Sequence, residues 1–117
     1  MLRYLRGTID MGLFYQKTPV ANLLGYADAG FLSDPHTARS QMGYLFTYGG
    51  TGISWRSMKQ TITATSSNYA EILAIHDASR ECFWLRSIVK HIRESCGLSC
   101  ENSVSYTHLT LPTILRV

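Results

Sequence analysis

A stripe of mainly apolar residues in the second half of the chain constrains the fold more than any other sequence feature. Its members recur at alternating steps of four and three residues: Glu71, Ile75, Ala78, Cys82, Leu85, Val89 and Ile92. This spacing places all seven residues on one face of an α-helix. The face needs an apolar partner surface, so we expect Glu71, its first member, to point toward that surface rather than toward water.

The residues at both ends of this segment are typical of helix boundaries. Residues 65–67 (Thr-Ser-Ser) are good N-caps, and Gly97 is a good C-terminal glycine. The basic run at 90–93 suits the negative end of the helix dipole. We expect Phe83 and Trp84, which flank the stripe, to be packing residues. The pattern therefore predicts one long helix that ends near Gly97.

The segments before the helix predict three strands. Residues 23–30 (LLGYADAG) are small and apolar, and residues 42–48 alternate with the period of two that is typical of a strand. Gly49 to Gly52 can supply the positive φ angles of a hairpin turn, after which residues 53–55 return as a third strand. The prediction is an α+β or α/β fold, with a three-stranded antiparallel meander covered by one long helix.

Asp28 places a single carboxylate in the first strand. An ionised acid in a buried strand is costly unless it is compensated. One interpretation is that Asp28 ends the strand and caps the following turn. The other is that it meets Glu71 over the sheet and the two acids hold a divalent metal. Carboxylates about 4 Å apart repel by roughly 4 kcal/mol, so a proton or a cation must join them, and oxygen ligands favour Mg²⁺.

Composition limits the class of protein. The chain has 117 residues, 45% of them hydrophobic, which is typical of one globular domain or a piece of one. A net charge of +3 permits contact with nucleic acid but does not by itself argue for it. No apolar run reaches the roughly 18 residues of a membrane span, and no secretory signal opens the chain. Three cysteines do not suggest a disulfide framework, and we interpret Cys96 and Cys100 as small apolar residues rather than metal ligands.

The first residues resemble the end of a preceding domain. Leu2 to Leu5 predict a short helix that ends at Gly7, and Met11 to Tyr15 predict a short strand. Residues 18–22 are interpreted as a linker because Pro19 interrupts the pattern.

Four motifs resemble one known family. They are YADAG (26–30), RSQMGYLF (39–46), ISWRSMKQ (53–60) and SSNYAE (66–71). In this order they look like the RNase H domain of Ty1/copia-type retrotransposon Pol polyproteins. The resemblance covers residues 23 to about 98, about two thirds of the chain, and residues 23–102 are assigned to a partial RNase H-like domain. The opening LRYLRGTIDMGLFY resembles the C-terminal end of the reverse transcriptase region of the same polyproteins.

The resemblance implies a fold, an activity and a site. The family has a mixed five-stranded sheet with helices on its faces, and it cleaves the RNA strand of an RNA–DNA hybrid with two Mg²⁺ ions. Asp28 matches the acid of the family's first strand and Glu71 the acid of its first long helix; both would be catalytic residues and Mg²⁺ ligands. Arg39, Arg56 and Lys59 are weaker candidates for phosphate contacts. The expected partners are an RNA–DNA hybrid and the remainder of the polyprotein, with no membrane. The expected location is intracellular, in a cytoplasmic virus-like particle or the nucleus, and not secreted.

The sequence also departs from the family. The family's third acid lies in a fourth strand after the long helix, but residues 103–117 diverge and hold no acid. We interpret this tail as non-native, from a frameshift, a fusion or a sequence artefact. The chain is then a polyprotein fragment with a partial RNase H domain, inactive as cut. The alternatives are a non-catalytic nucleic-acid-binding module and a purely structural RNase H-like remnant.

Overall fold

A computed structural model describes residues 1–17, 22–98 and 113–116, the last four as backbone. The elements run in the order α1 (Leu2–Gly7), β1 (Leu23–Gly30), β2 (Gln41–Tyr48), β3 (Thr51–Lys59), α2 (Ser67–Ser95) and β4 (Thr113–Arg116). The strands form one sheet of order β3-β2-β1-β4, and each adjacent pair is antiparallel. The predicted meander of three antiparallel strands and the long helix are confirmed.

The fourth strand is the main difference from the predicted sheet. The predicted three-stranded meander has β1 at one edge, but Thr113–Arg116 pairs with β1 from Leu24 to Ala27. This strand comes from the tail that diverges from the family. Backbone pairing needs only an extended segment within reach, so it can form without the family's own sequence. Residues 18–21 of the predicted linker and residues 99–112 lie outside the described residues.

Helix α2 begins and ends at the residues that the sequence indicates. The side chain of Ser66 is the N-cap and accepts a hydrogen bond from the backbone N–H of Tyr69 at 3.1 Å. At the other end Gly97 has a positive φ of 70°, and the N–H of Leu98 donates to the carbonyl oxygen of Arg93 at 2.9 Å. This six-to-one bond is that of a glycine-terminated helix.

The hairpin between β2 and β3 also follows its sequence signal. Gly49 and Gly50 have φ angles of 61° and 85°, which a tight two-residue hairpin turn of the I′ type requires. The register then shifts by one residue, because Thr47 pairs with Gly52 whereas Phe46 pairs with Ser54. Beyond this bulge the two strands stay in phase to their ends.

The core lies between α2 and one face of the sheet. Leu23, Ala27 and Phe46 contribute from the strands, and Ala78 and Leu85 contribute from the helix. Small side chains at every fourth position of the first turns let the helix backbone approach the strands; these are Ala70, Ala74 and Ala78, all buried. Of the predicted stripe, Ala78 and Leu85 are buried, and the buried face also includes Ala70 and Ala74, which the stripe did not contain.

Two expectations about the side chains of α2 are wrong. Ile92 was predicted to join the buried stripe but is 54% exposed. A helix of 29 residues is about 43 Å long, whereas an eight-residue strand spans about 26 Å, so the last turns extend past the sheet. Phe83 and Trp84 were predicted to pack, yet they are 68% and 57% exposed. Both lie outside the helix face that is centred on Ala78 and Leu85.

The second face of the sheet carries a row of large apolar residues. Tyr26 pairs with Leu45, and Leu45 pairs with Trp55, so the three side chains lie side by side across three strands. They are 37%, 40% and 62% exposed, respectively. We call these three residues the open-face row.

The N-terminal segment does not form the strand predicted at Met11 to Tyr15; residues 11–17 have no regular structure. They lie instead beside the start of β3, where the hydroxyl of Tyr15 donates to the carbonyl oxygen of Gly52 at 2.8 Å. The hydroxyl of Thr51 donates to the carbonyl oxygen of Phe14 at 2.6 Å. These side-chain bonds replace a strand ladder. Among the described helices, none combines the length and apolar character needed to span a membrane.

Candidate metal and nucleic-acid site

Asp28 lies near the end of β1 and is exposed. Its neighbour Ala27 belongs to the core beneath α2, and successive side chains of a strand point to opposite faces. The Asp28 carboxylate therefore stands on the open face. Gly43 is directly opposite it on β2 and has no side chain, so a shallow depression forms beside the carboxylate. Tyr26 and Leu45 also line this depression.

Glu71 lies in the first turns of α2 and is half-buried. It precedes the buried Ala78 by seven residues, which is two turns, so both lie on the same helix face. The flank of the helix toward β3 holds other acids: Glu81 accepts a hydrogen bond from the hydroxyl of Ser54 at 2.8 Å. The expectation that Glu71 faces the sheet agrees with this placement.

The structure brings Asp28 and Glu71 to the same end of the sheet. Helix α2 runs antiparallel to β1: its first turn contacts the end of β3 through Gln60 and Ala70, and Leu85 contacts Leu23 at the start of β1. The two acids do not meet over one face of the sheet, as the sequence predicted: Glu71 lies on the helix side of β1, whereas Asp28 lies on the open face, because successive strand side chains alternate between faces. Pairing with β4 stops at Ala27, one residue before Asp28.

The donor chemistry of these two residues fits a hard cation. Both offer carboxylate oxygens, which Mg²⁺ prefers, and Mg²⁺ is commonly held by one or two carboxylates together with water and substrate phosphates. Within the described residues there is no group of three or more His, Cys, Asp or Glu side chains that could hold a metal. Asp28 and Glu71 could therefore supply part of a coordination shell, and their sharing of one ion stays a prediction.

Of the three predicted phosphate contacts, Arg56 is the one whose neighbouring side chains the structure describes in most detail. It is exposed on the helix-facing side of β3, opposite Tyr44, and it donates a hydrogen bond to the Tyr44 hydroxyl. Burial and the nearby Glu81 raise the pKa of Tyr44, and this bond partly offsets the rise. Asp77 lines the same small cleft. Arg56 thus lies in the same cleft as Tyr44 and near the acids Glu81 and Asp77.

Lys59 and Arg39 are placed differently. Lys59 is three residues from Arg56 on the same strand, so the two side chains leave opposite faces of the sheet. The Lys59 ammonium forms a 2.7 Å ion pair with Oδ2 of Asp34 in the loop after β1. Arg39 is exposed in that loop. The structure does not gather the three predicted cations on one surface, and their contact with phosphate stays a prediction.

Sequence reasoning missed a buried polar junction at the same end of the sheet. Ser40 and Gln60 are 0% and 2% exposed. Both lie inside motifs quoted for the family resemblance, but residue type alone favours the surface for serine and glutamine. Only the convergence of three strand ends and the helix start buries them. No local signal could have identified this junction.

Comparison with curated proteins finds three informative relatives. The chain is 42% identical over 85 residues to Secreted RxLR effector protein 161 of Plasmopara viticola, which covers 73% of this chain and 60% of that protein. It is 39% identical over 93 residues to the retrovirus-related Pol polyprotein from transposon TNT 1-94 of Nicotiana tabacum, covering 79% of this chain. It is 30% identical over 82 residues to the Transposon Ty1-NL2 Gag-Pol polyprotein of Saccharomyces cerevisiae, covering 67%.

The matched region is a small share of the polyproteins. The chain spans 7% of the tobacco polyprotein and 5% of the yeast polyprotein. No protein-family model matches the chain, and no solved structure matches it significantly. Over 67% to 79% of its length, the chain is therefore similar to retrovirus-related Pol polyproteins from transposons of the Ty1/copia type.

Proposed function

We propose that the chain is a fragment of a Ty1/copia-type Pol polyprotein. In this proposal residues 1–17 are the end of the reverse transcriptase region, residues 18–22 are a linker, and residues 23–102 are a partial RNase H-like domain. Residues 103–117 are a tail foreign to that domain. The similarity to the tobacco and yeast polyproteins supports the polyprotein origin, and the meander covered by a long helix agrees with the domain assignment. The proposed location is intracellular.

The proposed chemistry is metal-dependent hydrolysis of RNA in an RNA–DNA hybrid. Asp28 and Glu71 would each supply a carboxylate ligand to Mg²⁺. A metal held there would supply Lewis-acid activation of the attacking water. The observation that carries the proposal is the position of Glu71 on the sheet-facing side of α2, at the end of the sheet where Asp28 lies. Two acids are too few for the two-ion site, so the chain alone is expected to be inactive.

The proposed substrate contact is independent of base sequence. Hybrid duplexes are recognised through shape, phosphates and 2′-hydroxyls. Arg56 and Arg39 are exposed and would contact phosphates. Lys59 would first have to leave Asp34, so we expect it to contribute least of the three.

The test compares the chain with a chimaera in which the downstream region of the tobacco polyprotein replaces residues 103–117. Both are incubated with a labelled RNA–DNA hybrid and Mg²⁺. We expect cleavage by the chimaera alone. Asp28→Asn and Glu71→Gln should each abolish that cleavage, because each removes a metal ligand.

The matched controls are Asp10→Asn and Glu94→Gln. Asp10 is an exposed acid outside the sheet, and Glu94 is an exposed acid in the last turn of α2. Both variants should cleave like the parent chimaera. Cleavage that survives Asp28→Asn would refute the proposed roles of these residues.

A second candidate function is nucleic-acid binding without cleavage. The exposed side chains of Arg39 and Arg56 support it. Hybrid binding by both proteins, weakened by salt as phosphate contacts require and without cleavage by either, would decide for this candidate.

A further inference from the structure

The open-face row is symmetric about Leu45. Tyr26 lies on β1 directly opposite Leu45, and Trp55 lies on β3 on the other side of Leu45. Neighbouring strands are about 4.8 Å apart, so the two aromatic residues stand at equal distances from the leucine. A twofold axis above Leu45 and parallel to the strands exchanges their positions. The row can therefore face a second copy of itself, with Trp55 of each copy over Tyr26 of the other.

The charged side chains of the open face follow the same symmetry. Asp28 lies two residues after Tyr26 on β1, and Lys59 lies four residues after Trp55 on β3. Their registers with β2 place both at the same end of the face. The twofold axis brings Lys59 of one copy to the level of Gly30 of the other, about 7 Å along the strand from Asp28. The long, flexible lysine stem can span this distance.

Lys59 can take a second carboxylate without losing the first. An ammonium group has three N–H donors, and its ion pair with Asp34 is made to one oxygen. The side chain of Lys59 is 61% exposed, whereas that of Asp34 is 11% exposed. A carboxylate from another copy can therefore approach the ammonium from solvent.

Other occupants and other symmetries fit this face less well. A twofold axis perpendicular to the strands would carry Lys59 of one copy to the end of the face away from Asp28 of the other. A nucleic acid strand stacked on the row would bring its phosphates near the Asp28 and Asp34 carboxylates, and like charges repel. The arrangement of charge thus favours a second copy of the chain, related by an axis parallel to the strands.

The N-terminal segment lies at the rim of the row and can enlarge the contact. A Cβ built on Gly52 would lie 3.8 Å from the Trp55 ring, and the carbonyl oxygen of Gly52 accepts the hydrogen bond from Tyr15. Leu13 and Phe14, just before Tyr15, are exposed. A stable interface buries about 800 Å² on each partner, which is more than three partly exposed side chains supply. The apolar side chains at the rim provide additional area.

We propose that the open face is a homodimer interface, in which two sheets pack face to face about a twofold axis parallel to their strands. Sheets packed in this way lie about 10 Å apart with their strands within about 30° of each other, and the two open-face rows fill the gap. Lys59 of each copy pairs with Asp28 of the other. The interface does not depend on metal binding or on hydrolysis.

The experiment measures dimerisation of the full chain by sedimentation equilibrium. All proteins carry Asp34→Asn, so that Asp34 does not compete for the side chain at position 59. In this parent, Asp28→Lys and Lys59→Glu should each raise the dissociation constant about tenfold or more, because like charges then face each other across the interface. An equimolar mixture of the two variants should dimerise as tightly as the parent, because each altered charge then meets its opposite on the other chain.

The matched controls are Glu94→Lys and Lys90→Glu. They make the same changes of charge in the last turns of α2, away from the open face. Alone or mixed, they should dimerise like the parent. Circular dichroism establishes that each variant is folded. If Lys59→Glu does not fold, Lys59→Gln takes its place, and its mixture with Asp28→Lys should dimerise more tightly than Asp28→Lys alone.

The outcomes that would overturn the proposal are specific. A parent chain that sediments as a monomer would refute the dimer. A mixture of the Asp28 and Lys59 variants that associates no better than its components would refute the pairing and the axis. Sedimentation with a labelled single-stranded RNA tests the other occupant: RNA binding by a monomeric chain, lost in Trp55→Gln, would assign the row to nucleic acid instead.

Discussion

The Lys59 ammonium lies 2.7 Å from Oδ2 of Asp34, and this ion pair joins the loop after β1 to the end of β3. Asp34 also accepts hydrogen bonds from the Thr37 hydroxyl at 2.7 Å and from the backbone N–H of His36 at 3.1 Å. Lys59 first, then Thr37 and His36, hold the pKa of Asp34 well below its ordinary value of 3.8. The carboxylate thus organises the loop that leads from the Asp28 strand to β2.

This pairing predicts an acid-dependent loss of stability. A carboxyl whose pKa is lower in the folded state stabilises the fold fully above its unfolded pKa, and the effect is lost as the pH falls. Asp34→Asn should lower the urea midpoint at neutral pH. The difference from the wild type should shrink as the pH falls below 3.8. Urea midpoints at neutral pH and at about pH 2.5 measure this, since protonation begins near the unfolded pKa. The control, Asp10→Asn, should not change the neutral midpoint.

Phe46 and Phe83 predict opposite responses to the same substitution. Phe46 is fully buried beneath α2 at 0% exposure, whereas Phe83 is 68% exposed. Phe46→Ala should lower the free energy of unfolding by about 3–5 kcal/mol through lost burial and a cavity. Phe83→Ala should change it by less than about 0.5 kcal/mol. Equal losses in chemical denaturation would mean that Phe83 is buried in solution.

Replacing Gly50 should strain the backbone without causing a steric clash. Its φ is +85°, and a Cβ built on it would meet no atom within 4 Å. Gly50→Ala should therefore destabilise the hairpin by about 1–2 kcal/mol, the cost of a left-handed backbone for an L-residue. Gly12 also has open space but no positive φ, so Gly12→Ala is the matched control and should be neutral. Thermal unfolding of both variants provides the comparison.

The open-face row predicts self-association. Tyr26, Leu45 and Trp55 present adjacent apolar side chains on one sheet face, and exposed apolar patches promote association. Trp55→Gln should raise the monomer fraction in analytical ultracentrifugation. Trp84→Gln makes the same change on the outer surface of α2, away from the row, and should have less effect. An equal rise for both variants would show that the row is not responsible.

Local signals in the sequence were sufficient for the boundaries of the main elements. Ser66 and Gly97 act within one turn of the helix ends, and Gly49 and Gly50 act within the hairpin itself. The helix face with Ala78 and Leu85 follows from spacing alone. These features were predictable because their causes lie within a few residues along the chain.

The sequence by itself therefore determined the meander, the long helix and the presence of acids at positions 28 and 71. Only the tertiary structure decided that β4 pairs with β1, that Ile92 extends past the sheet, and that Asp28 and Glu71 approach β1 from different sides. It also decided that Gln60 is buried and bonded to Ala70. Each of these depends on how far separate elements extend and where they meet, and such distances are set by packing between distant segments rather than by local residue preference.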